Sequence, residues 1–315
     1  MRNEWQVGVV IPAKNEQDFI DDVISTIPSY VDAIIVVNDG STDSTKQIVE
    51  NNMKDNNKIE LIDLSGEGVG AAIDSGHQKM LTKLSAPFVS VVMAGDGQMD
   101  VDDFDSIIKP IIDNQADYVK GNRFIHSMGA NNMPIIRQLA SLILGFFTTL
   151  AAGKHISDPQ CGYTATSHRV LNEWDWQKSW SSYGYPNYWL IELSRLAFTV
   201  TEVPVKSVYG NEKSGIKMPS FFLSVGLMML IMHHKRCFSM LFSKSVTPHS
   251  IFSFTAYAIG WIAIIPGIST DLERELATGF TAKVILVIAC WACAHIFDRL
   301  AVKSRIELMK NAQTR

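Results

Sequence analysis

Short apolar runs rich in β-branched residues recur through the first two hundred positions, and stretches with helical apolar spacing separate them. Residues 7–11 (VGVVI), broken by Pro12, predict a buried strand. Residues 17–27 carry helical spacing, and 33–37 (AIIVV) predict a second strand stopped by Asn38-Asp39-Gly40. Ser41 to Thr45 cap a helix running to about Asn51. The alternation continues with strand 59–63, helix 69–83, strand 88–93, helix 101–114 and strand 117–120. Such a pattern predicts an α/β fold with a mostly parallel sheet covered on both faces. Ligands in sheets of this kind sit at the carboxyl ends of strands, and the polar clusters of this chain fall there.

Beyond Phe124 the regularity breaks. Residues 126–134 read as a loop, followed by an apolar helix over 135–152. Arg137 and the lack of flanking charge favour a buried or interfacial helix there over a membrane span. DPQCGYTA (158–165) and SSYGYPNYW (181–189) read as loops over a site, and strand 199–205 closes this part. Residues 219–243 are apolar but interrupted by His233, His234, Lys235 and Arg236, which predicts one or two helices in the headgroup region with the basic cluster on anionic lipid. A metal site from His233 and His234 is disfavoured, because adjacent helical residues point apart. Residues 251–268 lack charge and 280–297 hold only Lys283, so both approach the roughly 20 residues of a spanning helix. Lys235, Arg236 and Lys244 precede this pair, and Arg299, Lys303 and Arg305 follow it. The positive-inside rule therefore puts both termini in the cytoplasm and the 269–279 loop outside. A soluble helical hairpin is the competing reading.

Composition sharpens this division. The chain has 315 residues, 47% hydrophobic and 19% charged, which excludes a disordered tail protein and a small disulfide-stapled module. The formal net charge of −4 argues against a nucleic-acid binder. It also averages two different segments, −11 up to Glu212 and +7 from Lys213 onward. No acidic residue occurs between Glu212 and Asp271. An acidic first part joined to a basic, apolar second part predicts a membrane-attached protein. Cys290 and Cys293 form a lone C-x-x-C inside an apolar run and read as small helix residues. The N-terminus shows no secretory signal pattern.

Five clusters carry candidate chemistry. Pro12-Ala13-Lys14-Asn15-Glu16 follows the first strand, and Asn38 to Asp43 the second. A carboxylate at such a turn suits a nucleobase or ribose, and a plain N-cap accounts for it equally. Gly66-Glu67-Gly68-Val69-Gly70 departs from G-x-G-x-x-G and follows the third strand, so it reads as a tight turn for close helix packing. Asp96, in Ala94-Gly95-Asp96-Gly97-Gln98, could hold Mg2+ or Mn2+ against a diphosphate. Arg123, with Arg137 and Ser141 one turn apart further on, suits phosphate, as solvated surface arginines also would appear.

The ordered set of PAKNE, NDGSTDST, AGDGQ, GNRF, DPQCGYTA and EVPV…YGNEKSG resembles the family 2 glycosyltransferases, in particular their polyprenyl-phosphate branch. The resemblance implies a GT-A-type, Rossmann-like sheet in a cytoplasmic nucleotide-sugar domain over 1–217. Interfacial amphipathic helices over 218–245 follow, then two transmembrane helices within 246–315. It also implies that Pro12, Lys14, Glu16, Asp39 and Asp96 hold the nucleotide, that Asp96 and Gln98 hold Mg2+ or Mn2+, and that Asp158 stands at the reaction centre. Arg123, Arg137 and Ser141 match positions that bind the lipid phosphate, and Lys213 matches a mobile loop over the diphosphate. Lys14 stands where an aromatic residue is common and Ala94 where the metal motif has its first Asp. The implied donor is a UDP- or GDP-sugar, the acceptor a polyprenyl phosphate, and the product arises by inversion. Small residues in the apolar helices would also let protomers pack as a homo-oligomer. Two other readings stay open: a transferase acting on a sugar hydroxyl, which would want a base that Tyr183 to Asn187 lacks, and a non-catalytic membrane scaffold prompted by Ala94.

Overall fold

In the computed structural model, which describes residues 4–127, 133–208, 218–243, 246–264 and 280–313, the apolar runs become strands of one sheet. They are β1 (Gln6–Ala13), β2 (Ala33–Asp39), β3 (Ile59–Leu64), β4 (Phe88–Val92), β5 (Tyr118–Asn122), β6 (Thr164–Ser167) and β7 (Val200–Pro204), in spatial order β3-β2-β1-β4-β6-β5-β7. All pairings are parallel except those of β6, which runs antiparallel between β4 and β5. Every residue of β2 is buried, as expected for a strand covered on both faces.

The helices α1 (Ile20–Thr26), α2 (Thr45–Asp55), α3 (Val69–Lys83), α4 (Phe104–Ile112), α5 (Ile135–Ala152), α6 (His168–Glu173) and α7 (Tyr185–Arg195) fill the connections. Two expected loops differ. Residues 158–165 run into β6, whose sequence TATS is too polar to signal a strand yet is wholly buried. Residues 181–189 run into α7, where Pro186 sits in the first turn, the place where a helix tolerates it.

After β7 the chain forms α8 (Met218–Leu241), a single helix, then α9 (Pro248–Ile262) and α10 (Phe280–Gln313). Thr247 caps α9, its Oγ1 accepting from Ser250 N at 3.2 Å, and Pro248 opens the helix. The stretch beyond Ile264 expected to complete that span, and the loop before α10, lie outside the described residues. α10 does not end near 298 but continues for 34 residues in all, because Leu300 to Gln313 are good helix formers without Gly or Pro. By length and composition, Ile135–Ala152 and Thr281–Asn311 could each cross a membrane.

The chain divides into two compact units, Met1–Thr148 with Ile156–Leu190 and Phe198–Met228, and Thr149–His155 with Ile191–Ala197 and Met229–Arg315. The first is built on the sheet, with a core that includes Val9, Ile11, Val36, Val91, Phe104 and Ile107. In the second, α9 packs along α10, where a side chain at Gly260 would strike Trp291, its Cβ only 2.5 Å from the indole Nε1.

Candidate functional site at the strand ends

Chain order reverses beside β1, whose neighbours are β2 and β4, and the carboxyl ends of strands at such a switch point are where sheets of this kind bind ligands. Register brings the motifs together there: Ala13 pairs with Asn38, and Gly95 N donates to Pro12 O at 3.0 Å. The turns after β1 and β2 are sewn to each other. Asn15, at φ 58°, donates from its backbone N to Ser41 Oγ at 2.9 Å, and its Oδ1 accepts from Thr42 N at 2.8 Å. Glu16 N donates to Thr45 Oγ1 at 2.8 Å, and Ser44 N to Gln17 Oε1 at 3.1 Å. The hydroxyls of Ser41 and Thr45 thus satisfy the backbone of the preceding motif, whereas the expected hydroxyl cap of α2 is not made: Ser44 at the N-cap forms no side-chain cap bond, and Thr45 N donates to Asp43 Oδ1 at 3.0 Å.

Asp39 is buried at the end of β2. Its carboxylate accepts from Glu67 N at 2.6 Å and Gly68 N at 3.0 Å, and Lys14 Nζ stands 3.6 Å from it. The acidic turn therefore shapes the glycine turn after β3. That glycine turn has its own packing reason: Gly70 N and Ala71 N donate to Ser181 O at 2.8 and 3.1 Å, and a Cβ on Gly70 would lie 2.1 Å from Trp180 O.

Asp96 follows β4 on a turn where Gly97 takes φ 70°, and its Oδ1 accepts from Gln98 N at 3.1 Å. Ala94 brings no donor, and among the described residues Asp96 belongs to no cluster of three or more His, Cys, Asp or Glu ligand atoms. One carboxylate with an amide oxygen nearby suits Mg2+ or Mn2+, hard ions that take their other ligands from water and substrate phosphate. The segment leading toward Lys213 starts beside this turn, since Val208 N donates to Gln98 O at 3.0 Å and Lys206 Nζ to Asp100 Oδ2 at 2.8 Å. Lys213 itself lies outside the described residues.

Arg123 and Asp158 meet directly. Arg123 Nε donates to Asp158 Oδ2 at 2.7 Å and Nη2 to Oδ1 at 2.8 Å, and Asp158 is fully buried. Burial pushes the Asp158 carboxyl up, but hydrogen bonding and charge from Arg123 outweigh it and hold it below its ordinary range. Two further charges belong to this cluster: Glu202, which lies in the EVPV motif without a role assigned from sequence, and Lys120, which no motif singles out. Glu202 on β7 accepts from Ser157 N at 3.0 Å and Asp158 N at 3.2 Å. Lys120, its register partner on β5, is fully buried and donates to the Cys161 carbonyl. Burial pushes the Lys120 amine down from its ordinary value. A lysine inside the strand YVKGN was the available signal.

Arg137 and Ser141 share one face of α5, and Ser141 is buried. The opposite face leaves Ile135, Ile136, Leu139, Leu142, Phe146 and Phe147 exposed. α5 lies close against the segment bearing Asp158, because a Cβ on Gly145 would sit 3.0 Å from Ser157 O. A buried polar chain ties the same elements: Gln160 Nε2 donates to Asn187 Oδ1 at 2.6 Å, and Asn187 Nδ2 to Thr148 Oγ1 at 2.7 Å. Asn187, from the stretch without a base, thus works as a fully buried brace.

Residues 8–174 match the sequence profile of glycosyl transferase family 2. The chain is 32% identical to the UDP-N-acetylglucosamine–dolichyl-phosphate N-acetylglucosaminyltransferase of Methanococcus voltae, a match covering 64% of this chain and 86% of the relative. It is 28% identical to the dolichyl-phosphate beta-glucosyltransferase ALG5A of Trichomonas vaginalis, over 67% of this chain and 68% of that one. Among solved structures it is similar to glucosyl-3-phosphoglycerate synthase of Mycobacterium tuberculosis, crystallised with Mn2+, UDP-glucose and phosphoglyceric acid. That likeness has a TM-score of 0.56 and 19% identity, and covers 74% of this chain and 81% of the other. At that identity it speaks for the fold.

Proposed function

This chain belongs to glycosyl transferase family 2, and we propose that it moves a sugar from a nucleotide-diphosphate sugar onto a polyprenyl phosphate, with inversion, at the cytoplasmic face of a membrane. The observation that carries the reading is the buried Arg123–Asp158 pair set against α5, a helix with Arg137 and Ser141 on one face and exposed aliphatic and aromatic residues on the other. Such a helix suits the water–lipid boundary, where a lipid phosphate and its chain need opposite surroundings.

In this reading Pro12, Lys14, Glu16 and Asp39 hold the nucleotide, and the donor is a UDP- or GDP-sugar; the relative named for a UDP-sugar supports the former. Asp96 and Gln98 would hold Mg2+ or Mn2+, which when bound supplies positive charge to the departing diphosphate. Lys213 would close over the same group. Asp158 stays ionised beside Arg123 and fixes the guanidinium plane, so that Arg123, Arg137 and Ser141 present a rigid cradle to the acceptor phosphate. That phosphate is anionic near neutral pH and needs no strong base, unlike a sugar hydroxyl. The buried bracing role of Asn187 supports this choice over the hydroxyl-acceptor reading.

The domain division proposed is a catalytic domain over 1–217, an interfacial segment over 218–245 and a membrane hairpin after it, with both termini cytoplasmic. Within that segment only Lys235 of the His233-to-Arg236 cluster is exposed, so lipid contact falls to it and not to the buried Arg236.

The test is to incubate detergent-solubilised protein with labelled nucleotide sugars, Mg2+ or Mn2+, and undecaprenyl phosphate. Label entering the organic phase is the expected result and identifies the donor. Label confined to water-soluble glycan supports the hydroxyl acceptor, and no turnover of any nucleotide sugar supports a scaffold.

A further inference from the structure

His233 and Cys237 are four residues apart on α8, and His295 and Asp298 three apart on α10, so each pair lies on one helix face. The second unit brings the two faces together. One donor atom each from His233, Cys237 and Asp298 lies within 4.8 Å of the others. Cys237 Sγ is 3.7 Å from His233 Nε2 and 3.9 Å from Asp298 Oδ1, and the His295 ring centroid is 5.5 Å from that of His233. We propose that His233, Cys237 and Asp298, with His295 beside them, form a site for a thiophilic closed-shell cation, Zn2+ or Cu+, that cross-braces α8 and α10.

Spacing and satisfaction both point to an ion. Bond lengths of about 2.3 Å to sulfur and about 2.0 Å to nitrogen put tetrahedral ligands roughly 3.5 Å apart, close to the separations seen. His233 is buried, and the hydrogen-bonding neighbour of its ring nitrogens among the described residues is the Cys237 sulfur, a weak partner for imidazole. A cavity of about 10 Å3, lined by His233, Cys237, Tyr257, His295 and Asp298 among others, leaves room for one small sphere. His234 takes no part: its ring reaches Leu230 O at 2.7 Å and Tyr257 Oη at 3.0 Å, so adjacent histidines do point apart.

Sulfur with imidazole selects Zn2+ or Cu+ over the hard ions suited to Asp96. Arg236 donates to both Asp298 oxygens, at 2.9 and 2.6 Å, and so orients the carboxylate from behind while its remaining lone pairs face the cavity. Binding displaces the Cys237 thiol proton to solvent, and the thiolate then neutralises one unit of the ion's charge. Cu+ leaves the cluster electrically balanced; Zn2+ leaves one positive charge, which the Asp298 carboxylate shares with Arg236.

The test uses full-length protein in detergent, stripped with a chelator, loaded with Zn2+ or with Cu+ under reducing anaerobic conditions, and desalted. Elemental analysis is expected to find about one ion per chain, and which loading persists identifies the ion. Cys237→Ser and His233→Asn should each lower affinity at least about tenfold, while Cys293→Ser, removing an exposed sulfur on α10, should not. For a variant that does not fold, alkylation of the wild type answers instead: the ion should slow modification of Cys237 about tenfold or more and leave Cys293 unchanged. No retained ion in folded wild-type protein, or equal retention in folded Cys237→Ser, overturns the site.

Discussion

Asp96 sits on a glycine-flanked turn and, among the described residues, joins no cluster of three or more His, Cys, Asp or Glu ligand atoms, so the candidate metal site draws on its carboxylate while Ala94 offers nothing. Removing its charge should therefore be severe: Asp96→Asn is expected to lower transfer by on the order of a hundredfold or more in the organic-phase assay, with the melting temperature little changed. Full activity would sink the metal assignment. If Arg137 binds the acceptor phosphate as proposed, Arg137→Ala should raise KM for polyprenyl phosphate about tenfold while leaving KM for the nucleotide sugar near its original value. A third residue bears on stability. Asp74 on α3 is buried, its Oδ1 without a hydrogen-bond partner among the described residues, and burial pushes its carboxyl up to about 7. The folded state then binds a proton that the unfolded state has already released, so stability is greatest below pH 4 for this group and falls as pH rises toward 7. Asp74→Asn should flatten that slope in melting curves taken from pH 4 to 7; an unchanged slope would show that Asp74 is not its source.

At the scale of elements, local pattern was a good guide wherever a strand or helix carried its own signal. Helix 69–83 and helix 135–152 read directly from spacing, and both have those bounds. β6 and α7 were illegible for a physical reason: TATS is buried through neighbours on both sides, and α7 starts in an aromatic loop sequence whose helix is fixed by packing. The sequence of the glycine turn before α3 predicts close packing, and its contact with residues 180–182 supplies the detail. Gly70→Ala should push Trp180 and Ser181 away and cost about 1–3 kcal/mol, seen as a lower melting temperature. Wild-type stability in that variant would mean the 180–182 segment yields freely.

At the scale of the whole chain, the charge split between the acidic first part and the basic second part hid a different use of basic residues. Arg236, expected on lipid, is fully buried against Asp298, and its Nε donates to Ala151 O at 2.8 Å. Gly153, at φ 65°, leaves room for the pair, since a Cβ there would lie 2.6 Å from Asp298 Oδ2. Arg236→Met should strand a buried carboxylate and cost about 3–5 kcal/mol, and adding Asp298→Leu should restore much of the loss in thermal unfolding. Failure of the double variant to recover would locate the defect in packing instead. By itself the sequence determined the strand–helix alternation, the polar clusters at strand ends and the apolar character of the last third. Each of these follows from short-range periodicity and from residue types that terminate elements. Only the tertiary structure decided which charges meet. Arg123 finds Asp158 across 35 positions and Arg236 finds Asp298 across 62. Such pairs have no local period, and burial selects them, because a charge removed from water must have its partner wherever the fold brings one.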